Sequence, residues 1–164
     1  MEYNIGEYNL YNIKFVKDKK NYRIYHKNKL VTISTPFMYI PFGIENYKYK
    51  NILNIEFKDN NNDIHNLCAI IKQIDKFFRK LSYDDNLTYL KVNVKNKRYI
   101  SCMRYKIKPL LRTHLKKQTI ICDKDNKYVK NIKGKSGKFV LHMGTLWVTK
   151  DSYGLIWYVD KCII

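Results

Sequence analysis

The sequence predicts a mainly β protein, a Greek-key barrel of short antiparallel strands interrupted by one amphipathic helix. Three observations carry that expectation. Apolar residues alternate with period two over several short runs, as at Leu53, Ile55 and Phe57, and polar turns separate the runs. Only from Asp63 to Leu81 does the apolar spacing change to three and four residues. A corner from Thr35 to Tyr47 holds two of the three prolines together with Gly43. Pro36 and Pro41 hold Thr35 and Ile40 extended and Gly43 can take a positive φ, so the chain can leave one sheet layer there and enter another.

In order, Tyr8 to Val16 alternates loosely with apolar groups on both faces, as in a barrel strand covered on its outside, and Lys17 to Asn21 is a polar turn. Tyr22 to Tyr25 and Leu30 to Ser34 flank His26-Lys-Asn-Lys29, a hairpin in which Asn28 can take the left-handed conformation. After the corner, Asn51 to Asp59 points Leu53, Ile55 and Phe57 inward and Asn54, Glu56 and Lys58 to water. Asn60-Asn61-Asn62 breaks that strand, and Asp63 is placed to cap a helix with Ile64, Leu67, Ile70, Ile71, Ile74, Phe77, Phe78 and Leu81 on its apolar face. Arg79 and Lys80 complement the carboxyl end of its dipole.

From Leu87 the pattern returns to period two, with Leu90, Val92 and Val94 inward and Tyr89, Lys91, Asn93 and Lys95 outward. Asn96-Lys97 suits a tight turn into a partner strand, Arg98 to Lys108, which Pro109 ends. Leu111 to Lys117 fits a short helical turn or an extended arm equally, and Thr119 to Cys122 reads as a short strand. Residues 123–138, with six lysines, Gly134 and Gly137, form a basic connection expected to be mobile until something anionic orders it. Phe139 to Val148 and Gly154 to Ile164 close the fold as a hairpin that carries Trp147 and Trp157, both expected to pack the barrel. Seven or eight strands with one helix describe a single OB-fold-like domain over residues 1–164.

The net charge of +18 comes from 32 basic and 14 acidic side chains, a self-repulsion that a polyanion would relieve. A composition rich in Asn, Ile, Lys and Tyr, the residues AT-rich codons favour, is a second source of lysine but does not explain the scarcity of acids. Lysine greatly outnumbers arginine, which suits neutralising a phosphate backbone better than reading guanines with paired hydrogen bonds. Cys68, Cys102, Cys122 and Cys162 form no CxxC pair and no secretory segment precedes them, so free thiols in an intracellular compartment are expected. The histidines are equally scattered, and neither a metal nor any other cofactor is expected. No apolar run is long enough to span a bilayer.

Catalysis has one weak candidate. Glu56-Phe-Lys58 has the Glu-x-Lys spacing of a metal-dependent nuclease, but Asp18 is the only upstream aspartate and has no suitable context, so both are read as solvent-facing strand residues. Nucleic-acid binding has better materials. Single strands are held by cations along the backbone and by aromatic faces against the bases. The candidate residues are Tyr47, Lys48, Tyr49 and Lys50 in one run, Tyr89 with Lys91, and Arg98, Arg104, Tyr105 and Lys106 on the predicted partner strand. A basic structural or DNA-packaging protein is the second class the charge allows.

Three features together resemble the single-stranded DNA-binding proteins of large nucleocytoplasmic DNA viruses, the group similar to the OB-fold proteins of short-tailed phages. They are Thr35-Pro36 through Pro41-Phe42-Gly43-Ile44, the helix around Ile70 to Phe78, and Gly144-x-x-Trp147 with Tyr153-Gly154-Leu155-x-Trp157. The likeness spans most of the chain from about residue 30. It implies an OB-fold, a non-enzymatic protein that binds single-stranded DNA without reading sequence, and work in viral replication, recombination or repair in the host cytoplasm or nucleus. Partners implied are single-stranded DNA or RNA, viral replication proteins and a second copy in a homodimer. The phage relatives end in an acidic tail, whereas this chain ends Asp160-Lys-Cys-Ile-Ile164, which puts tail-mediated partner recruitment in doubt.

Overall fold

The computed structural model describes residues 9–58, 61–105 and 107–164, and within them the chain forms eleven strands and one long α-helix. β1 (Ile13–Asp18), β2 (Asn21–His26) and β3 (Lys29–Ser34) make a meander, and β4 (Met38–Tyr39), β5 (Ile44–Tyr47) and β6 (Lys50–Glu56) follow the corner. Helix α1 (Asn62–Lys80) precedes β7 (Arg98–Ile100), β8 (Met103–Tyr105) and β9 (Pro109–Cys122), and β10 (Ser136–Val148) and β11 (Ser152–Ile163) complete the order. β10 pairs with β4, β4 with β6, β6 with β9, β9 with β11, and β11 with β10 again, so these strands close a barrel. The sheet is mixed, since β11 runs parallel to both β9 and β7.

The proline corner is the step that makes closure possible. One edge of β10 takes β3 at residues 140–143 and β4 at residues 136–137, after which the chain crosses to β6. Thr35 spans the step: its N–H donates to Phe139 O at 2.9 Å and its Oγ1 accepts from Phe139 N at 3.0 Å. Gly43 has φ +75° and a Cβ there would lie 3.2 Å from Lys133 Cβ.

Helix α1 buries Ile64, Leu67, Cys68, Ile71, Ile74, Phe77 and Phe78, the predicted stripe with Ile70 and Leu81 at its half-buried margin. Its N-cap is Asn61, whose side chain accepts from Asp63 N, rather than Asp63 itself. Two buried hydrogen-bond sets fix the helix to the sheet. Tyr153 OH donates to Phe78 O and Arg79 O at the carboxyl end, and Asp75 Oδ1 accepts from Tyr99 OH and Ser101 Oγ at 2.8 Å each.

Three further expectations about the strands need correction. Residues 87–108 are not a hairpin. Asp84 caps a 3-10 turn over Asp85–Leu90 that buries Leu87 and Leu90, and Lys91 ends it at φ 55°. Leu87 and Leu90, three apart, serve that turn, while Leu90, Val92 and Val94 carry the alternation that reads as a strand. The next stretch divides at Ser101-Cys102 because its halves have different partners, β7 on β11 and β8 on β9. Pro109 opens β9 rather than ending a strand, a position where its missing N–H costs no ladder bond, and Leu111 to Lys117 joins Thr119 to Cys122 in one long strand. Lastly, Asn54 and Glu56 are buried, not solvated. β6 lies inside the sheet, Asn54 donates to Glu45 Oε2 at 2.7 Å, and Lys108 Nζ lies 3.5 Å from Glu56 Oε1.

Candidate nucleic-acid interface

Residues directly opposite in a ladder share a face. Tyr47 faces Lys50 across β5 and β6, while Ile52 and Asn54 of β6 face His114 and Arg112 of β9. His114 in turn faces Tyr158 of β11, and Gly154 faces both Trp147 of β10 and Ile100 of β7. One outer surface of the barrel therefore carries alternate residues of β5, β6, β9, β11, β10 and β7.

A cleft of about 620 Å³ opens on that surface. Strands supply Arg112 and His114 from β9, Arg104 from β8, Ile156 from β11 and Trp147 from β10. Turns supply Lys48 at the β5–β6 tip and Lys20 between β1 and β2, with Tyr47 and Lys50 flanking the tip. Lys20, Lys48, Lys50, Arg104 and Arg112 line the cleft, and no carboxylate does among the described residues. The Trp147 ring packs over residue 154 because that residue is glycine: a Cβ there would meet Trp147 Cζ2 at 2.7 Å and Ile100 O at 2.6 Å.

Positive charge is concentrated enough to alter its neighbours. The Arg112 guanidinium lies 5.0 Å from the Tyr47 ring centroid and Lys48 Nζ lies 5.3 Å from it, so one ring serves two cations. Burial, and then Arg104, lower the pKa of Arg112. Burial, Lys50 and Arg112 push His114 down to about 4, so its imidazole is neutral near pH 7. An incoming phosphate would meet in Arg112 a cation already partly desolvated and held by the sheet, with exposed Lys20, Lys48, Lys50 and Arg104 around it.

The tip itself is strained. Lys48 has φ 48° and Tyr49 φ 64°, the left-handed pair of a two-residue hairpin turn that Asn-Gly normally fills. Left-handed geometry costs a non-glycine residue about 1–2 kcal/mol. Tyr49 is nevertheless there, 100 % exposed, with its ring in solvent beside the cleft.

Of the residues singled out from sequence, Tyr47, Lys48, Lys50 and Arg104 line the cleft and Tyr49 stands at its rim. Arg98 shares the face of Ile100 on β7 but is outside the lining. Tyr105 is exposed next to Arg104, with Lys72 Nζ 5.5 Å from its ring. Tyr89 and Lys91 are not brought to the cleft, and Tyr89 OH donates to Tyr11 O at 2.9 Å. Lys106 lies outside the described residues. Sequence reasoning missed Lys20, Arg112 and His114 and assigned Trp147 to the core, where only Trp157 is fully buried. The sequence carries a signal for two of them: Arg112, His114 and Lys116 alternate with Leu111, Thr113 and Leu115 in the stretch that fits a helical turn or an extended arm equally.

Among the described residues no three His, Cys, Asp or Glu side chains cluster as metal ligands. Glu56 is engaged by Lys108, and Lys58 Nζ sits 4.4 Å from the Tyr39 ring centroid. No helix is long and apolar enough to cross a membrane among the described residues.

No protein-family model matches the chain, and no curated protein matches it significantly in sequence. Solved structures do resemble it. The single-stranded DNA-binding protein from bacteriophage Enc34 aligns with a TM-score of 0.50 at 12 % identity, covering 92 % of this chain and 88 % of that one. The likeness shows the fold. This chain's closed barrel with one long helix is OB-fold-like. The same phage protein in complex with single-stranded DNA aligns at 0.49 and 12 % identity, covering 92 % and 93 % of the two chains. The single-stranded DNA-binding protein gp2.5 encoded by bacteriophage T7 aligns at 0.48 and 11 % identity, covering 82 % and 86 %.

Proposed function

We propose that the protein binds single-stranded DNA without reading its sequence and performs no chemistry on it. The observation that carries this reading is the cleft: five cations, the flat faces of Tyr47 and Trp147, and no carboxylate among its described lining. Cations along a backbone path with aromatic platforms for bases are what sequence-tolerant single-strand binding needs, and duplex offers no free base faces to such platforms. The name of the Enc34 protein, whose fold this chain shares, supports the same class. Tyr47, Tyr49 and Trp147 stack bases and Lys20, Lys48, Lys50, Arg104 and Arg112 neutralise phosphates; Tyr105, whose ring lies by Lys72 of α1 and outside the cleft, Arg98 and Lys106 are candidates for contacts beyond it. The whole chain acts as one domain; in the basic connection of residues 123–138 the backbone is fastened at Gly134, Lys135 and the start of β10, and an anion orders the lysine side chains before them. The setting is replication, recombination or repair of viral DNA, with origin in a large nucleocytoplasmic DNA virus, as the proline corner and the two tryptophan motifs suggest. RNA is a second ligand of the same chemistry, and a homodimer and viral replication proteins are the protein partners.

Fluorescence anisotropy of a labelled oligothymidylate, titrated across a salt series with duplex as competitor, tests the class. Five neutralised phosphates predict a slope of log affinity against log salt of about −3.5. Equal competition by duplex, or a nearly flat slope, would overturn the cleft reading in favour of a basic packaging protein.

A further inference from the structure

The proline corner carries a second set of aromatic faces and lysines that the cleft does not use. Phe37 and Phe42 are about half exposed, far more than rings of their size in a packed corner require. Lys138 Nζ lies 5.2 Å from the Phe37 centroid, and Lys58 Nζ lies 4.4 Å from that of Tyr39. Lys133 packs its Cβ against Gly43, one residue after Phe42. The backbone here is held from two sides, by Ile40 N donating to Lys135 O at 2.9 Å and Gly134 N donating to Ile40 O at 2.8 Å. Rings on such a frame lose little freedom when a ligand covers them.

Register places this corner relative to the cleft. Tyr39 faces Glu56 on β6 and Tyr47 faces Lys50 on β6, and residues 50, 52, 54 and 56 share one face of that strand. The corner thus lies at the Glu56 end of β6 and the far edge of the cleft at its Lys50 end, about 20 Å away at the rise of a strand, on the same outer surface. Two carboxylates lie along this path in register, and both are engaged: Glu56 is buried and paired with Lys108, and Glu45, half-buried opposite Ile52, accepts from Asn54 Nδ2 at 2.7 Å.

We infer that the corner is a second contact for the same nucleic-acid strand, which runs from the cleft along β6 to Phe37 and Phe42. The inference rests on the single-strand reading of the cleft. Exposed rings beside lysines repeat the pairing of Tyr47 with Arg112, and they favour a ligand with bases over an acidic peptide, for which lysines alone would serve. Lys133 and Lys138 neutralise phosphates there, and Phe37 and Phe42 stack bases.

The test compares oligothymidylates of about 5 and about 15 nucleotides, the lower and upper range of one OB-fold's site. The wild-type chain should bind the longer one much more tightly. The double variant Phe37→Ala/Phe42→Ala should weaken the long oligonucleotide at least about fivefold and leave the short one unchanged. Lys133→Gln/Lys138→Gln, which keeps the side-chain stems and so the packing on Gly43, should reduce the salt slope for the long oligonucleotide alone by about 1.4. The lysine pair carries the test if the phenylalanine variant melts early. Unchanged binding of the long oligonucleotide by the lysine variant overturns the corner contact and leaves the cleft standing. Displacement of polyglutamate from the wild-type corner with no length dependence for DNA overturns it in favour of an acidic protein partner. Failure of the wild-type chain to bind either length removes the cleft reading itself.

Discussion

Two tyrosine–lysine stretches, residues 47–50 and 89–91, carry the same side chains into different surroundings. The first is the tip of a hairpin whose ladder sets Tyr47 opposite Lys50, with Arg112 brought up to the same ring by the next strand. The second lies in a 3-10 turn that exists to bury Leu87 and Leu90; Tyr89 gives its hydroxyl to Tyr11 O and the Lys91 N–H bonds to Thr88 O. In one place the rings and cations are gathered from three strands, and in the other they decorate a structural turn. What separates them is not the local sequence but the number of other strands whose register converges on it.

The comparison is broken most directly at Tyr47. Tyr47→Ala should weaken oligothymidylate binding by the worth of one stacked base, about 1–3 kcal/mol or roughly 5- to 150-fold, with the melting curve little changed because nearly half of the residue is exposed. A lowered melting temperature with intact binding would make Tyr47 a structural ring. Tyr49→Gly sharpens the same point with opposite signs on two readouts. Glycine relieves the φ of 64° and should stabilise the protein by about 1 kcal/mol, while loss of the exposed ring weakens binding about fivefold. A variant that binds as well as the parent would remove Tyr49 from the interface.

Strands and helix were legible where one periodicity had no competitor. Ile64 to Phe78 admitted only a helix, and the closing hairpin with its tryptophans admitted only strands. Residues 87–95 satisfied two periods, and the burial of Leu87 and Leu90 decided for the turn. Arg112 and His114 were hidden for a different reason. Their alternation is plain in sequence, but that β9 lies beside β6 and parallel to β11 is a long-range fact that no local pattern holds. The proline corner could be read as a turning point because Pro36, Pro41 and Gly43 act on the backbone alone, whereas the ring exposure of Phe37 and Phe42 depended on what packed beside them.

His114 offers a smaller effect, tied to the cleft alone. In the free protein burial, Lys50 and Arg112 hold its pKa at about 4, below the ordinary value of 6.5. The unfolded chain therefore takes up a proton between those values before the folded chain does, and stability falls as pH drops through that window. A bound phosphate offsets the two cations and lets the histidine pKa rise, so binding takes up a proton and affinity should increase as pH falls from about 6.5. A few-fold tighter binding at about pH 5.5 than at about pH 7.5, absent in His114→Gln, is the expected result. Identical pH profiles in both proteins would place the bound phosphates away from His114.

The smallest effects belong to the second stretch, and their smallness is the point. Tyr89→Ala removes a half-exposed ring and one hydrogen bond to Tyr11 O, so it should cost up to about 1 kcal/mol of stability while oligothymidylate affinity stays within about twofold. Lys91→Gly should do the reverse to stability, gaining about 1 kcal/mol by relieving φ 55° at the end of the turn, again with binding unmoved. Both variants lose a tyrosine or a lysine of the kind that composition alone would count as a binding residue. If either lowered affinity as far as Tyr47→Ala, binding would track aromatic and cationic content over the whole surface and not convergence of strands on one cleft. Unmoved affinity in both, beside the loss at Tyr47, ties function to the register of β5, β6 and β9.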